Sequence, residues 1–449
     1  MLKSNYFKCS FILILLLIIP LFFFFWGKNL HKVSGPNYIT TSYRGQHFDP
    51  EYAYLFNSLN IINGIAPWHI DHPGTPLQML GAMVIKASHP FTNSKSITGF
   101  AFTNPEIYLT RINFVINILI VLTIFVLGIA TYFVTENIFL TLIMQLSPLF
   151  SLTILASFSR VSPEPILLII TLLLAGALIS LLKFDLNQHL KTYLALFSII
   201  IGLGIALKIS FLPLAIIPGI LFWKRKKLSL YLLGVLASFV IFTLPIIFRY
   251  KSILAWTFQL SLHEKKYGKG ALGIVDPASF LHSFINILTK EWIFSLILLI
   301  CLIFLLTKTF APKKLTQEKS IEYYLILGCV LAQLLQIIIV SKHYNLRYML
   351  PAFSLSGAAL VFLLSDFLKN DHFKKYLSII GLLIFMLVFM QSYQAVKMLN
   401  NIKIIVANEK SKIPKNIQLN KALEFGNFWS GEKYDVGADP KGFKTLKIF

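Results

Sequence analysis

Apolar stretches long enough to span a membrane recur from one end of this chain to the other, and they restrict the fold more than any other feature. Eleven runs are present, at 9–26, 109–134, 137–157, 165–182, 192–207, 210–223, 228–248, 291–307, 321–341, 349–367 and 375–396. A helix needs about 20 apolar residues to cross the roughly 30 Å hydrocarbon core of a bilayer. The sequence therefore predicts an all-α polytopic membrane protein with about eleven transmembrane helices.

The balance of apolar and charged residues supports a membrane location. Of 449 residues, 56% are hydrophobic and 13% are charged, which is too few charges to cover a water-facing surface. The net charge of +22 comes from Lys and Arg in short clusters between the apolar runs, a pattern typical of contact with membrane lipids rather than nucleic acid. The three cysteines lie in or beside apolar runs, so no disulfide framework is indicated. The first run is long enough to span and lacks a small-residue cleavage site, so we interpret it as a helix rather than a signal peptide.

The basic clusters predict how the chain is oriented. Placing Lys3 and Lys8 in the cytoplasm puts the larger basic loops on the same side, which favours an N-in, C-out arrangement. The outer face then receives the segments 27–108, 157–165, position 208, 249–290, 341–351 and 397–449. We expect interfacial helices in the large first loop, one of them near 77–87, and divide the chain into a transmembrane domain, 1–396, and a short outer tail, 397–449, with strand and turn character.

Two carboxylates in the first outer loop are candidates for acid–base chemistry. Asp49 and Glu51 flank Pro50 just before an amphipathic run, Tyr52–Ile62. One interpretation is a helix N-terminus, with Asp49 as the cap and Glu51 in the first turn. The other is a general base held rigidly at the membrane interface. The two interpretations are compatible.

A turn rich in histidine and proline follows in the same loop. His69, Asp71 and His72 could bind a divalent metal together with His47 or Asp49, although their spacing matches no tight metal signature. The alternative is a Pro- and Gly-rich turn whose polar groups satisfy each other. The sequence does not require a metal, and the cofactor is left open.

The other outer segments contain cations that could bind a phosphate. Arg160 and Glu164 form a possible acid–base pair, and 263–270 is a basic, flexible loop that includes His263. Solvated loops, or cations that extend to lipid headgroups, are the alternatives. The candidate phosphate ligands are Arg347, Lys342, Lys208, Lys265 and Tyr267, with Tyr348 beside them.

The order of these motifs resembles the GT-C class of polytopic glycosyltransferases, in particular the protein mannosyltransferase-like group that includes the aminoarabinose transferases (glycosyltransferase family 39/83 type). The similarity covers roughly 9–395. It rests on Asp49-Pro50-Glu51 and His72-Pro73 in the first loop, on Glu164 after the third span, and on the segments GLGIALKISFLPL (202–214) and NLRYMLP (345–351). Two departures are the Asp-Pro-Glu in place of adjacent Asp-Glu, and His-Pro-Gly-Thr-Pro in place of the commoner His-Pro-Pro-Leu.

The resemblance implies a polyprenyl-phosphate-linked sugar donor, an envelope glycan, lipid or protein as acceptor, and an active site on the outer face of a bacterial cytoplasmic membrane. Asp49 or Glu51 would be the base, and Glu164 would orient the acceptor or a metal. Arg347, with Lys208, Lys342, Lys265 or Tyr267, would bind the donor phosphate. The acceptor side would be shaped by His72, Asp71, His69, Arg160, His263 and Tyr348.

Two other classes of function remain open at this level. A lipid-linked oligosaccharide flippase or transporter would be expected to carry charged residues inside its spans, and these runs contain few away from their ends. A different outer-face enzyme, such as a glycan polymerase, a ligase or a phosphoethanolamine-type transferase, would depend on His69, Asp71 and His72 and would tolerate changes at Asp49.

Overall fold

The protein is an assembly of helices with two small strand pairs. The computed structural model describes residues 2–34, 51–70, 73–92, 94, 96–265, 269–273, 275–310, 320–410, 434–436 and 446–448. The first helices are α1 (Leu2–Ser34), α2 (Glu51–Ile62), α3 (Thr75–Ser88), α4 (Ile97–Thr103), α5 (Pro105–Thr135), α6 (Ile138–Leu146), α7 (Leu152–Ser157), α8 (Pro163–Ser180), α9 (Leu190–Leu207) and α10 (Ile216–Trp223). The others are α11 (Leu228–Phe242), α12 (Tyr250–Leu262), α13 (Pro277–Lys290), α14 (Trp292–Phe310), α15 (Ile321–Lys342), α16 (Leu350–Ser354), α17 (Ser356–Leu368), α18 (Asp371–Lys374) and α19 (Leu377–Lys410).

Short 3-10 turns and strands connect these helices. The turns are His89–Phe91, Ser147–Phe150, Ile209–Ala215, Leu244–Arg249 and Leu346–Met349. Strands β1 (His263–Lys265) and β2 (Lys269–Leu272) form one antiparallel pair, and β3 (Tyr434–Val436) and β4 (Leu446–Ile448) form the other. The second pair places two strands within the predicted tail, 397–449, whereas helix α19 continues to Lys410, past the predicted start of the tail.

The helices confirm an all-α, multi-pass membrane protein. Among the described residues, eight helical stretches are long and apolar enough to cross a bilayer: Ile12–Ser34, Pro105–Thr135, Pro163–Ser180, Leu190–Leu207, Trp292–Phe310, Ile321–Lys342, Leu346–Leu368 and Leu377–Ile405. A ninth is present if Leu228–Phe242 and Leu244–Leu262, which meet at a bend of 92°, count as one span. The predicted count of about eleven is therefore not reached by continuous helices.

Proline explains why three predicted runs are not continuous helices. Pro148, Pro213 and Pro245 each lie in a 3-10 turn that interrupts an apolar run. Proline donates no backbone hydrogen bond, and its ring clashes with the preceding helical turn. The first run is therefore reduced to a short apolar stretch, 138–150, and the third is bent. The second, 209–223, keeps its predicted length, which is too short to cross a bilayer, and begins with the 3-10 turn.

The first loop contains packed helices rather than open chain. Helix α2 is buried along most of its length, and α3 lies where the sequence predicts a helix near 77–87. Gly74 precedes α3 with a φ of +65°, a conformation that favours glycine, and its N–H donates to the carbonyl of Leu207 at 3.2 Å. The turn before α3 is thereby attached to the end of α9.

Candidate functional site

Glu51 begins α2 and is buried, although it is a carboxylate. Its Oε1 accepts a hydrogen bond from the backbone N–H of Val161 at 2.9 Å. Burial raises the pKa of this carboxyl above its ordinary value of 4.5, while the charge of Arg160 and the Val161 N–H act in the opposite direction. This contact joins the first loop to the segment that precedes α8.

Glu164 and Lys208 form a buried ion pair. Glu164 lies in the first turn of α8, directly after Pro163, and Lys208 is the extended residue at which α9 ends. The Lys208 Nζ lies 2.6 Å from the Glu164 Oε1, and the two side chains are 1% and 4% exposed. The sequence indicates Arg160 and Glu164 as a possible acid–base pair, with a solvated loop as the alternative. In the structure Glu164 forms an ion pair with Lys208, and the charge of Arg160, which precedes the helix, acts on Glu51.

Tyr348 brings the late segment NLRYMLP to the same place. The Lys208 ammonium lies 4.4 Å from the centre of the Tyr348 ring, and the Arg347 guanidinium lies 5.4 Å from it. Asn345 caps this turn, because its Oδ1 accepts a hydrogen bond from the Arg347 N–H at 3.2 Å. One aromatic ring therefore contacts two cations from separate segments.

Gln336 lies in α15 and connects two 3-10 turns, Ile209–Ala215 and Leu346–Met349, which we call the two interrupted segments. Its Nε2 donates to the carbonyls of Ser210 and Tyr348, both at 2.7 Å. Its Oε1 and the Ser210 Oγ are buried with no hydrogen-bond partner among the described residues. Polar atoms of this kind beside a buried ion pair are typical of a place that accepts a polar ligand or water. Sequence reasoning missed Gln336, although a glutamine inside an apolar run is a visible signal.

Lys342 and the hairpin segment lie at one edge of this region. The Lys342 Nζ donates to the carbonyls of Ser261 and Gly273, which ties the end of α15 to α12 and to the residue after β2. His263 belongs to β1, where its Nδ1 lies 3.0 Å from the carbonyl of Gly270. The side chain of Lys265 and all of Tyr267 lie outside the described residues.

The histidine turn is held by the side chain of Asn57 on α2. Its Oδ1 accepts hydrogen bonds from the N–H groups of Trp68 and His69, at 2.5 and 3.1 Å. The carbonyl of His69 accepts a further bond from Gln78 Nε2 at 2.9 Å. Asp49, Asp71 and His72, with His47, lie outside the described residues, so their predicted roles stay predictions. In the part of the chain that the structure describes, no group of three metal-ligating side chains is found.

These contacts connect five of the polar segments that the sequence places on one face. The first loop reaches 157–165 through Glu51, 157–165 reaches Lys208 through Glu164, and Lys208 reaches 341–351 through Tyr348. The last of these reaches 249–290 through Lys342. We call the region formed by Glu51, Arg160, Glu164, Lys208, Gln336, Arg347 and Tyr348 the polar cluster.

The fold and the polar cluster together define an all-α, multi-pass membrane protein with buried charged groups gathered at one end of its helix bundle. No family model matches the chain, and no curated protein matches it either.

Proposed function

We propose that this protein is a membrane glycosyltransferase that moves a sugar from a polyprenyl-phosphate donor to an acceptor hydroxyl. The observation that carries the proposal is the polar cluster, in which charged groups from four segments meet at one end of an apolar bundle. Glu51, Glu164 and Lys208 are buried there, and Arg160 and Arg347 are half-buried. Buried charges are costly in such a protein and are typical of functional sites. The resemblance of the motif order to the GT-C class supports the same function.

The reaction requires a base and a stabilised leaving group. The acceptor oxygen attacks the anomeric carbon and forms the new glycosidic bond, while the bond from that carbon to the phosphate oxygen breaks. The acceptor proton passes to a first-loop carboxylate, Asp49 or Glu51, and the electron pair leaves with the polyprenyl phosphate. Attack from the face opposite the phosphate inverts the anomeric configuration.

The charges of the polar cluster favour Arg347 as the principal phosphate ligand. Lys208 already has its charge balanced by Glu164, whereas a guanidinium offers several donors in a fork that matches phosphate oxygens. Tyr348 lies under both cations and would keep Arg347 in place. In this proposal Lys208 and Glu164 are positioning residues: they hold the Tyr348 ring and the two interrupted segments in place.

The location of the polar cluster suits a lipid-linked donor. The polyprenyl chain would lie among the apolar helices, while its phosphate would meet the cluster where the helices end. In this proposal the cluster faces outward from a bacterial cytoplasmic membrane, since the large basic loops lie at the other ends of the helices and favour the cytoplasm.

Sugar transfer by the purified chain tests the proposal. Liposomes containing the protein would receive a radiolabelled pool of polyprenyl-phosphate sugars and, as acceptor, an envelope fraction containing glycan, lipid and protein, both extracted from source membranes. Released polyprenyl phosphate and labelled acceptor would be measured. Loss of the general base should lower the transfer rate by ~10²- to 10⁴-fold, so we expect this loss for either Asp49→Asn or Glu51→Gln. Glu136→Gln, which changes an exposed carboxylate at the other end of the bundle, should retain the wild-type rate.

Folding must be verified for each variant by its elution profile and its thermal unfolding. If both first-loop variants fold and transfer sugar at the wild-type rate, the proposed mechanism is wrong. If the wild type releases no polyprenyl phosphate from any fraction of the donor pool, the proposed function itself is wrong.

A further inference from the structure

A second charged region lies at the opposite end of the bundle from the polar cluster. There a cavity of about 730 Å³ opens between the loop after α8, the end of α10 and the start of α15. Its apolar wall is formed by Leu181, Leu182, Leu186, Leu221 and Ile321, and its charged lining by Lys183, Lys224, Arg225 and Asp185. The combination of an apolar wall with a cationic rim is what a lipid headgroup and the start of its acyl chains require.

The cations of this cavity are only partly neutralised. Lys183 pairs with Glu136 at 3.2 Å, and among the described residues Lys224 and Arg225 form no ion pair. The Asp185 carboxylate accepts two backbone hydrogen bonds in its own turn. Three cations against the two carboxylates of Asp185 and Glu136 leave one positive charge in excess. A phosphodiester has a single negative charge and would balance it.

Lys224 and Arg225 are held in place before any ligand binds. The Lys224 ammonium lies 3.4 Å from the centre of the Tyr324 ring. The Arg225 Nε donates to Asn187 at 2.8 Å and its Nη1 to the carbonyl of Leu221 at 2.9 Å. A guanidinium has five N–H donors, so three remain for a ligand. Side chains that are already ordered lose less conformational entropy when they bind.

A neighbouring aromatic residue indicates the depth of the cavity. Trp223 precedes Lys224 and is 70% exposed. Exposed tryptophan at the end of an apolar helix is typical of the headgroup region of a membrane protein. A phosphate bound between Lys224 and Arg225 would lie at the same level, with its acyl chains toward the apolar wall.

We propose that this cavity binds the phosphodiester headgroup of an anionic phospholipid through Lys224 and Arg225. The bound lipid would bridge the ends of α8, α10 and α15. Two of these helices supply Glu164 and Gln336 to the polar cluster, and the third follows the segment that begins at Lys208. The lipid would therefore stabilise the helices that position the cluster. The inference does not depend on the proposed sugar transfer.

Lipid-dependent unfolding of the full chain in neutral detergent tests the proposal. Phosphatidylglycerol or phosphatidylcholine with the same acyl chains would be added in increasing amounts to the wild type, to Lys224→Gln/Arg225→Gln and to Lys226→Gln/Lys227→Gln. The second double variant is a matched control, because it removes the same charge from the same basic run at exposed residues outside the cavity lining.

We expect phosphatidylglycerol to raise the unfolding temperature of the wild type and of the control at the same concentrations, and phosphatidylcholine to have a smaller effect. The Lys224→Gln/Arg225→Gln variant should need at least ~10-fold more phosphatidylglycerol to reach the same rise in unfolding temperature, because two charged hydrogen-bond donors are lost. An equal loss in both double variants would show general attraction to a basic surface and would overturn the site. If inorganic phosphate raised the unfolding temperature of the wild type as much as phosphatidylglycerol does, the site would bind free phosphate rather than a lipid, and the proposal would be wrong.

Direct counting of bound lipid covers the case in which the Lys224/Arg225 variant does not fold. Native mass spectrometry of the wild type after partial removal of lipid should show phosphatidylglycerol retained over phosphatidylcholine, and glycerol 3-phosphate in excess should displace it. Equal retention of the two lipids would contradict the proposal.

Discussion

Lys208 and Glu164 lie 44 residues apart in the chain, yet their charged groups are 2.6 Å apart and almost completely buried. The pair connects the point where α9 ends to the first turn of α8. Two charges removed from water are stable together only while each neutralises the other. Their contact therefore fixes the interrupted segment after α9 against α8, which is a condition for the rest of the polar cluster.

The ion pair predicts a specific pattern in a double-mutant cycle. Glu164→Gln and Lys208→Met should each destabilise the protein by about 3–5 kcal/mol, because each removes the opposite charge that lies 2.6 Å from a buried one. The double variant should cost clearly less than the sum of the two. Unfolding in detergent by heat or denaturant measures all three. The corresponding cycle on Lys183 and Glu136, whose side chains are 35% and 79% exposed, should give a coupling of no more than ~1 kcal/mol. Additive effects at Lys208 and Glu164 would contradict a coupled pair.

Replacing either of two glutamines of α15 should destabilise the protein, and the loss should be larger for the one that donates more hydrogen bonds. Gln336 donates to two buried carbonyls, those of Ser210 and Tyr348, whereas Gln333 donates to one, that of Ala352 at 3.0 Å. A buried carbonyl left without a donor costs ~1–3 kcal/mol. Gln336→Leu should therefore lower the unfolding temperature about twice as much as Gln333→Leu, which has the same change of side chain one turn away. Equal shifts in the two variants would show that the second bond contributes nothing.

Glu51 predicts a pH dependence of stability with a defined sign. Burial raises the pKa of its carboxyl in the folded protein, so the folded state holds this proton more tightly than the unfolded state. The stabilisation is fully present below the unfolded pKa, near 4.5, and is lost as pH rises through the folded pKa. Glu51→Gln can still accept the Val161 N–H bond but has no charge to bury. The unfolding temperature of this variant, relative to wild type, should rise with pH across that window.

Arg160 provides a check on the cause of this behaviour. Its positive charge lowers the pKa of the Glu51 carboxyl and so opposes the effect of burial. Arg160→Gln should therefore extend the window to higher pH, and this extension should disappear when Glu51→Gln is present as well. A wild-type curve parallel to that of Glu51→Gln at every pH would show that Glu51 does not titrate differently in the folded protein.

Much of the architecture follows from simple sequence signals, and particular contacts show where these signals end. Apolar length predicts the helices, and the placement of Glu51, Glu164 and Tyr348 in loops between spans is sufficient to predict that their segments meet. The partner of Glu164 is not predictable in the same way, because Lys208 becomes a partner only through the packing of α8 on α9. Gln336 is visible as a polar residue in an apolar run, but its two carbonyl partners depend on where Pro213 and the turn at Arg347 interrupt the helices.

The orientation of the bundle in the membrane can be decided by labelling cysteines introduced in place of two exposed lysines. Lys251 lies in α12, whose end is tied to Lys342 beside the polar cluster, and Lys227 lies in the basic run at the other end. Each would be replaced by cysteine in a background without Cys9, Cys301 and Cys329. Under the N-in arrangement, a membrane-impermeant maleimide added to intact cells should label Lys251→Cys and leave Lys227→Cys unlabelled until the membrane is opened. The reverse pattern would place the polar cluster in the cytoplasm, and a donor sugar presented on the outer face could not reach it.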